Sequence, residues 1–245
     1  LGEKPAVPGV NVQLTIDAYI QSQVEKAFNG RRGALVAIEP STGQVLAFVS
    51  APTYDANQFV DGISETAWKE LNESKNRPLF NRALQGAYPP GSTYKPFMAL
   101  AALHSGARAR DEVIRDGGVY LLGSHRYRDS TGGRGHGMVN MFTSIAVSSD
   151  VYYYSLAHKM GVDLMHQEIS RFGFGQKTGT DLLGETGGLL PSSEWYKKKT
   201  GKDWSEGQTI SLGIGQGENT FLFLQLANAT ATIANRGVRM TPYLL

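Results

Sequence analysis

The chain has 245 residues, 24 Lys and Arg against 22 Asp and Glu, and a formal net charge of +2. That balance carries no concentrated basic patch and argues against a nucleic-acid binder; Lys197-Lys198-Lys199, with Lys202 close by, reads as a solvated helix end. The absence of cysteine excludes disulfides and thiolate metal sites, and no window approaches the run of about 18 apolar residues that marks a membrane helix.

Residues 1–12, with Pro5, Pro8 and Gly9, read as an extended lead-in. Asp17 is placed to cap a helix running to about Phe28, with Ile20, Val24 and Phe28 on one face. Arg32 to Glu39 and Gln44 to Ser50 are apolar runs around the turn Pro40-Ser41-Thr42-Gly43, which predicts a hairpin. Both strands are nearly continuous in apolar residues, so coverage on both faces is expected. Residues 52–87 are mixed and loop-rich, with one helix near Glu65 to Leu71.

Tyr88-Pro89-Pro90-Gly91-Ser92-Thr93-Tyr94-Lys95-Pro96 is the most informative stretch. Residues before proline avoid the α region, so Tyr88 and Pro89 should be extended. Pro96 is tolerated only in a first helical turn, where N–H groups have no intrahelical partner. A helix therefore starts at or just after Ser92, runs through the apolar Phe97 to Leu103, and ends at Gly106. Residues i and i+3 share a helix face, which brings the Lys95 amine towards the Ser92 hydroxyl. A serine becomes a competent nucleophile when a neighbouring base takes its proton, and a lysine in a partly dry pocket can be that base. Ser92 would also sit in the positive end of the helix dipole. Ser-x-x-Lys alone is a weak pattern; the Pro-Pro-Gly entry and the buried helix give it weight.

Asp111 to Met138, rich in glycine and charge, reads as an irregular excursion with short strands. Val139 to Met160 reads as helical, broken around Ser148; further helices are expected near Asp163 to Phe172, Ser193 to Lys199, and Thr220 to Asn235. Strands first and helices afterwards, with long excursions, predict an α+β fold: a hairpin packed on a bundle around the Ser92 helix.

Ser148-Ser149-Asp150 lies between the apolar segments Ile145-Ala146-Val147 and Val151-Tyr152-Tyr153-Tyr154. A polar triplet between buried segments needs partners. One reading is a helix cap. The other has Ser148 facing the Lys95 amine as a proton relay, with Asp150 organising the site. Lys177-Thr178-Gly179-Thr180 follows Phe172-Gly173-Phe174-Gly175 in a glycine-rich stretch.

Together these motifs resemble the penicillin-binding transpeptidases of bacterial cell-wall synthesis, whose hallmarks are Ser-x-x-Lys, Ser-x-Asn and Lys-Ser/Thr-Gly. The resemblance covers most of the chain and includes Val45 to Ser50, Asn57 to Ile63, Gly135-His136-Gly137 and Gly213-Ile214-Gly215-Gln216-Gly217. Pro-Pro-Gly-Ser and the aspartate at Asp150 are similar to the elongation-specific, monofunctional class B branch; the division-specific branch usually carries Glu-Pro-Gly-Ser and Ser-x-Asn. The resemblance implies a β-lactamase/transpeptidase-like fold, an antiparallel sheet covered by helices on both faces. A subregion of about 52–190 would be inserted against the sheet-forming part.

It further implies that Ser92 is the acylated nucleophile and Lys95 the general base, that Ser148 carries a proton to the leaving amine, and that Asp150 orients the site. The Ser92 N–H would supply half of an oxyanion hole. Ser92 would attack the penultimate D-alanine of a D-Ala-D-Ala stem peptide and pass the acyl group to an acceptor amine. β-Lactams would acylate the same serine, and no cofactor is needed. Elongation-complex membrane proteins, a glycosyltransferase among them, would be partners of a periplasmic domain anchored in the inner membrane.

In that family the third motif lies on a strand well downstream of Gly213 to Gly217. Lys177-Thr178-Gly179 is therefore expected to be a decoy, the true motif lying beyond Leu245, as do the family's anchor and pedestal before Leu1. On this reading both ends are cuts through a longer protein. A non-catalytic scaffold or fragment, a division-type enzyme, and a carboxypeptidase or β-lactamase of the same fold stay as alternatives; a hydrolase should show a deacylating base, and none is evident.

Asp116, Asp129 and His136 could ligate zinc, but a fourth ligand is not evident, and a turn with hydrogen-bonded aspartates is the simpler reading. His104, His125, His158 and His166 form no Ser-His-Asp pattern and read as structural. Gly213 to Gly217 lacks the G-x-G-x-x-G spacing and reads as a tight backbone approach near the site. Tyr152, Tyr153 and Tyr154 read as core.

Overall fold

The computed structural model describes residues 7–245. The first six residues of the expected lead-in lie outside that range. Helix α1 (Ala18–Phe28) opens on the Asp17 carboxylate, which accepts from the Ile20 N–H. The hairpin β1 (Gly33–Ile38) and β2 (Val45–Ala51) pairs antiparallel, with a register shift at Ala37/Ile38. Ala34, Val36 and Ile38 of β1 line a cavity with a late helix, α8 (Phe223–Ala234), which packs on β1, while α1 packs on β2 and its Val24 and Phe28 share a second cavity with Leu35. Helices therefore lie on both faces of the hairpin. On β2, Val45, Ala47 and Val49 are buried. β1 stays half-buried along its whole length, so the expected full coverage is not met there. Gln21 of α1 lies against β2: its amide donates to the Phe48 carbonyl and accepts from the Phe48 N–H.

Helix α2 (Glu65–Glu73) precedes a short strand, β3 (Ala87–Tyr88), which pairs with β8 (Phe221–Leu222). The nucleophile segment differs from the expected single helix. Gly91–Tyr94 forms a 3-10 turn, and α3 (Lys95–Ser105) continues from it, with Pro96 in its first turn and Gly106 in the left-handed conformation at its end. Phe97, Met98, Ala101 and Ala102 are buried. Phe97, Phe174, Phe221 and Tyr94 interlock there, with ring centroids 4.4 to 5.9 Å apart. Burying such a side chain contributes about 1.5–3 kcal/mol. This cluster ties α3 to β8 and to the segment that carries Phe174.

The glycine-rich excursion forms two small antiparallel pairs, β4 (Ile114–Asp116) with β7 (Gly137–Val139), and β5 (Val119–Leu122) with β6 (His125–Arg128). Helix α4 (Met141–Ala146) ends before Ser148, whose φ of +56° breaks the run as expected. Helix α5 spans Asp150–Ser170, with Gly161 outside helical geometry at φ +73°, so the two expected helices meet at a kink. Tyr152, Tyr153 and Tyr154 are core residues. Helices α6 (Ser193–Thr200) and α7 (Glu206–Leu212) follow. The sequence reading missed α7, although Ser205 and Gln208 form its capping box.

Candidate active site

Lys95 opens α3 and is 2% exposed. Its Nζ lies 2.7 Å from the Ser148 carbonyl oxygen, 3.0 Å from Ser148 Oγ and 2.6 Å from Asp150 Oδ1. Three acceptors match the three N–H bonds of an ammonium. As a neutral amine, Nζ could accept from the Ser148 hydroxyl instead. Ser92 is exposed and makes no side-chain hydrogen bond among the described residues. Lys95 makes no hydrogen bond to Ser92 here; the amine is held from the side of Ser148 and Asp150. The two residues stay in line, because positions i and i+3 eclipse on a 3-10 turn. Ser92 precedes α3 by one turn, so it faces the helix N-terminus rather than opening the helix.

The triplet proves to be both cap and site. Ser149 is the N-cap of α5, its hydroxyl accepting from the Tyr152 N–H at 3.1 Å. Ser148 and Asp150 flank it and turn to Lys95. The left-handed backbone at Ser148, unusual for a side chain with a Cβ, aims both its carbonyl and its hydroxyl at the same amine.

The glycine-rich excursion supports this corner. Asp129 Oδ2 accepts the Asp150 N–H at 2.7 Å, and Oδ1 accepts the Thr131 N–H at 2.9 Å. Burial opposes the ionised form of Asp129, but these backbone N–H donors, with His136 beside them, hold its carboxyl below the usual range. The Ser130 N–H donates to Asp150 Oδ2 at 3.1 Å. Ser149 Oγ donates to Asp116 Oδ2 at 2.5 Å, and Asp116 Oδ1 accepts the Gly118 N–H. The two aspartates are hydrogen-bonded within their turns, as expected, and their second oxygens also hold Ser149 and the Asp150 N–H at the N-terminus of α5. Their carboxylates and a His136 ring nitrogen also lie within 4.8 Å of one another, which is the proximity a metal site needs. His136 Nε2, 3.5 Å from Asp129 Oδ1, has no hydrogen-bond partner among the described residues. The asx-type hydrogen bonds of both aspartates were signalled by the glycines after them; their reach to Ser149 and Asp150 was not.

Gly215 accounts for the tight approach. Its carbonyl accepts the Gly91 N–H at 2.9 Å, and a Cβ on Gly215 would lie 2.4 Å from the Gly91 carbonyl oxygen. The segment after α7 therefore braces the turn that carries Ser92.

Lys177-Thr178-Gly179 lies on no strand. The Thr178 and Gly179 N–H groups donate to the buried Glu185 carboxylate at 2.7 and 3.3 Å. None of the three makes a hydrogen bond to Ser92, Lys95, Ser148 or Asp150.

A family model described as the penicillin binding protein transpeptidase domain matches residues 33–245. The peptidoglycan D,D-transpeptidase MrdA of Acinetobacter baumannii is 45% identical over all of this chain, which spans 37% of that relative's length. The crystal structure of Pseudomonas aeruginosa PBP2 in complex with WCK 5153 superposes with a TM-score of 0.93 at 49% identity, covering 97% of this chain and 54% of that one. PBP2 of Helicobacter pylori, in its complex with MreC, gives 0.91 at 34% identity, covering 95% and 43%.

Proposed function

The chain belongs to the penicillin-binding protein transpeptidase family, with a β-lactamase/transpeptidase fold, and from that premise we propose that it carries the nucleophile and base of a peptidoglycan D,D-transpeptidase of the elongation type. The observation that supports this most directly is the Lys95 amine, buried one 3-10 turn after an exposed Ser92 and held by Ser148 and Asp150.

In the proposed reaction Ser92 Oγ attacks the carbonyl of the penultimate D-alanine. Lys95, as the free amine, takes the hydroxyl proton. The negative charge passes to the carbonyl oxygen, where the Ser92 N–H, which has no intrahelical partner in the opening turn, can donate. Collapse breaks the C–N bond; Ser148 hands a proton to the departing D-alanine amine and is resupplied from Lys95. An acceptor amine then attacks the Ser92 ester, loses its proton to the Lys95 and Ser148 pair, and returns the hydroxyl to Ser92. Asp150 keeps Lys95 in place without touching the substrate. A β-lactam carbonyl would enter the same first step and remain as the ester.

The substrate, a D-Ala-D-Ala stem peptide, and the acceptor belong to the proposal. So do a periplasmic location and a membrane-protein partner of the MreC kind, the latter supported by the Helicobacter pylori complex. No helix of the described residues is long and apolar enough to cross a membrane. The test is the intact mass of the full-length protein before and after incubation with a penicillin. One equivalent of adduct, mapped to Ser92 by peptide analysis and absent in Ser92→Ala, is expected. An unmodified mass, or an adduct on another residue, overturns the assignment.

A further inference from the structure

On the far side of α3 from Ser148, a cavity of about 420 Å³ opens between α3, the end of α5 and the end of α8. That volume lies within the range of small-molecule sites. Leu100, Ala101, Phe172 and Ile233 make its walls apolar. Its polar groups are few and unequal in charge. The buried Glu168 carboxylate is already engaged, with His104 Nδ1 at 2.7 Å and Arg171 Nε at 3.4 Å from the same oxygen. Arg236, in the left-handed conformation just past α8, brings a second guanidinium to the lining. Among the described residues it has no carboxylate within ion-pair distance. The lining therefore carries two arginines against one carboxylate, whose Oε2 is already shared by His104 and Arg171, beside apolar walls.

We propose that this cavity is a binding site for a small amphiphile with an aromatic or short aliphatic body and one carboxylate. The body covers Leu100, Phe172 and Ile233, and the carboxylate takes the planar, two-pronged donor face of Arg236. A cationic ligand of the same shape leaves Arg236 unmatched and brings its charge against Arg171. The site is separate from the Lys95 corner and does not rest on the transpeptidase reading.

The probe is naphthalene-2-carboxylate, titrated into the full-length protein by ligand-observed NMR, beside 2-naphthylmethylamine, which has a similar body and the opposite charge. The carboxylate is expected to bind at least about tenfold more tightly than the amine, a difference worth about 1.4 kcal/mol. Arg236→Glu should weaken the carboxylate by about tenfold or more and erase the preference. Ile233→Trp, which fills the cavity while keeping the charge, should weaken both probes. The thermal unfolding midpoints of both variants verify that they fold. Equal binding of the two probes, binding unchanged in Arg236→Glu or Ile233→Trp, or no binding in the millimolar range would each overturn the proposal.

Discussion

Lys95 Nζ and Asp150 Oδ1 lie 2.6 Å apart, with the two side chains 2% and 10% exposed. They belong to different helices and are separated by 55 residues of sequence. The pair therefore joins α3 to α5 at the point where the proposed chemistry needs a fixed amine. Removing one member of a buried ion pair strands the other charge and costs about 3–5 kcal/mol, more than the pair's net contribution.

Lys95→Ala should lower both stability and penicillin acylation, the latter by about 10²–10⁴-fold as expected for loss of a general base. A double-mutant cycle separates the two effects. Lys95→Ala with Asp150→Ala should be less destabilised than the sum of the single variants by about 0.5–3 kcal/mol, without recovering acylation. Urea unfolding and the rate of adduct formation read the two quantities. Additive stability losses would remove the pair's structural role, and near-normal acylation in Lys95→Ala would remove its role as base.

Much of this arrangement was legible in the sequence, and the reasons differ by element. Asp17, Pro96 and Gly106 marked helix ends because capping and ring geometry are local. The 3-10 turn at Gly91–Tyr94 was not separable from α3, since both share the same start signals. The approach of Ser148 and Asp150 to Lys95 spans more than 50 residues; it was one of two readings of the polar triplet, favoured by the presence of Ser92 and Lys95 and then by the resemblance, and no spacing fixes it. Asp116 and Asp129 were visible as turn residues. Their second carboxylate oxygens reach Ser149 and Asp150 because β4, β5 and β6 pack against α5, which no local pattern encodes.

Ser148 separates a hydroxyl from a backbone requirement. Its carbonyl bond to Lys95 needs only the backbone, while the hydroxyl bond needs the side chain. Ser148→Ala and Ser148→Gly should both slow acylation by about 10²–10⁴-fold through loss of the relay. At φ +56°, however, glycine is unstrained and alanine is not, so Ser148→Gly should be the more stable of the two by at least about 0.5–1 kcal/mol. Thermal unfolding of the pair decides it; the reverse order would mean that the left-handed backbone carries no strain.

Lys177 tests the decoy. Its motif is engaged by Glu185 and not by the site. Lys177→Ala should change acylation by no more than about twofold, the scale of a surface substitution. Glu185→Ala should instead destabilise by about 1–3 kcal/mol, because the Thr178 and Gly179 N–H groups lose their acceptor. A loss of acylation above tenfold in Lys177→Ala, with stability intact, would place this motif in the catalytic machinery.

Asp129 ties stability to pH. Its carboxyl is held below the ordinary aspartate value of about 3.9, against burial, by the Thr131 and Asp150 N–H groups and His136. The folded protein therefore favours the ionised form, and the unfolded chain binds this proton at a higher pH. The stabilisation is complete above about pH 5 and is lost as pH falls below 3.9 and through the depressed folded value. Asp129→Asn keeps the shape but removes the charge and offers one acceptor oxygen where two are used. At pH 6 it should be less stable than the parent by about 1.5–3 kcal/mol, the range for hydrogen bonds to a charged group. The gap should narrow as pH falls towards 3, because the other carboxylates titrate in both proteins and cancel in the difference. Urea unfolding at half-unit steps from pH 6 to pH 3 measures it. A gap that stays constant across that range would mean that the charge on Asp129 does not hold the start of α5.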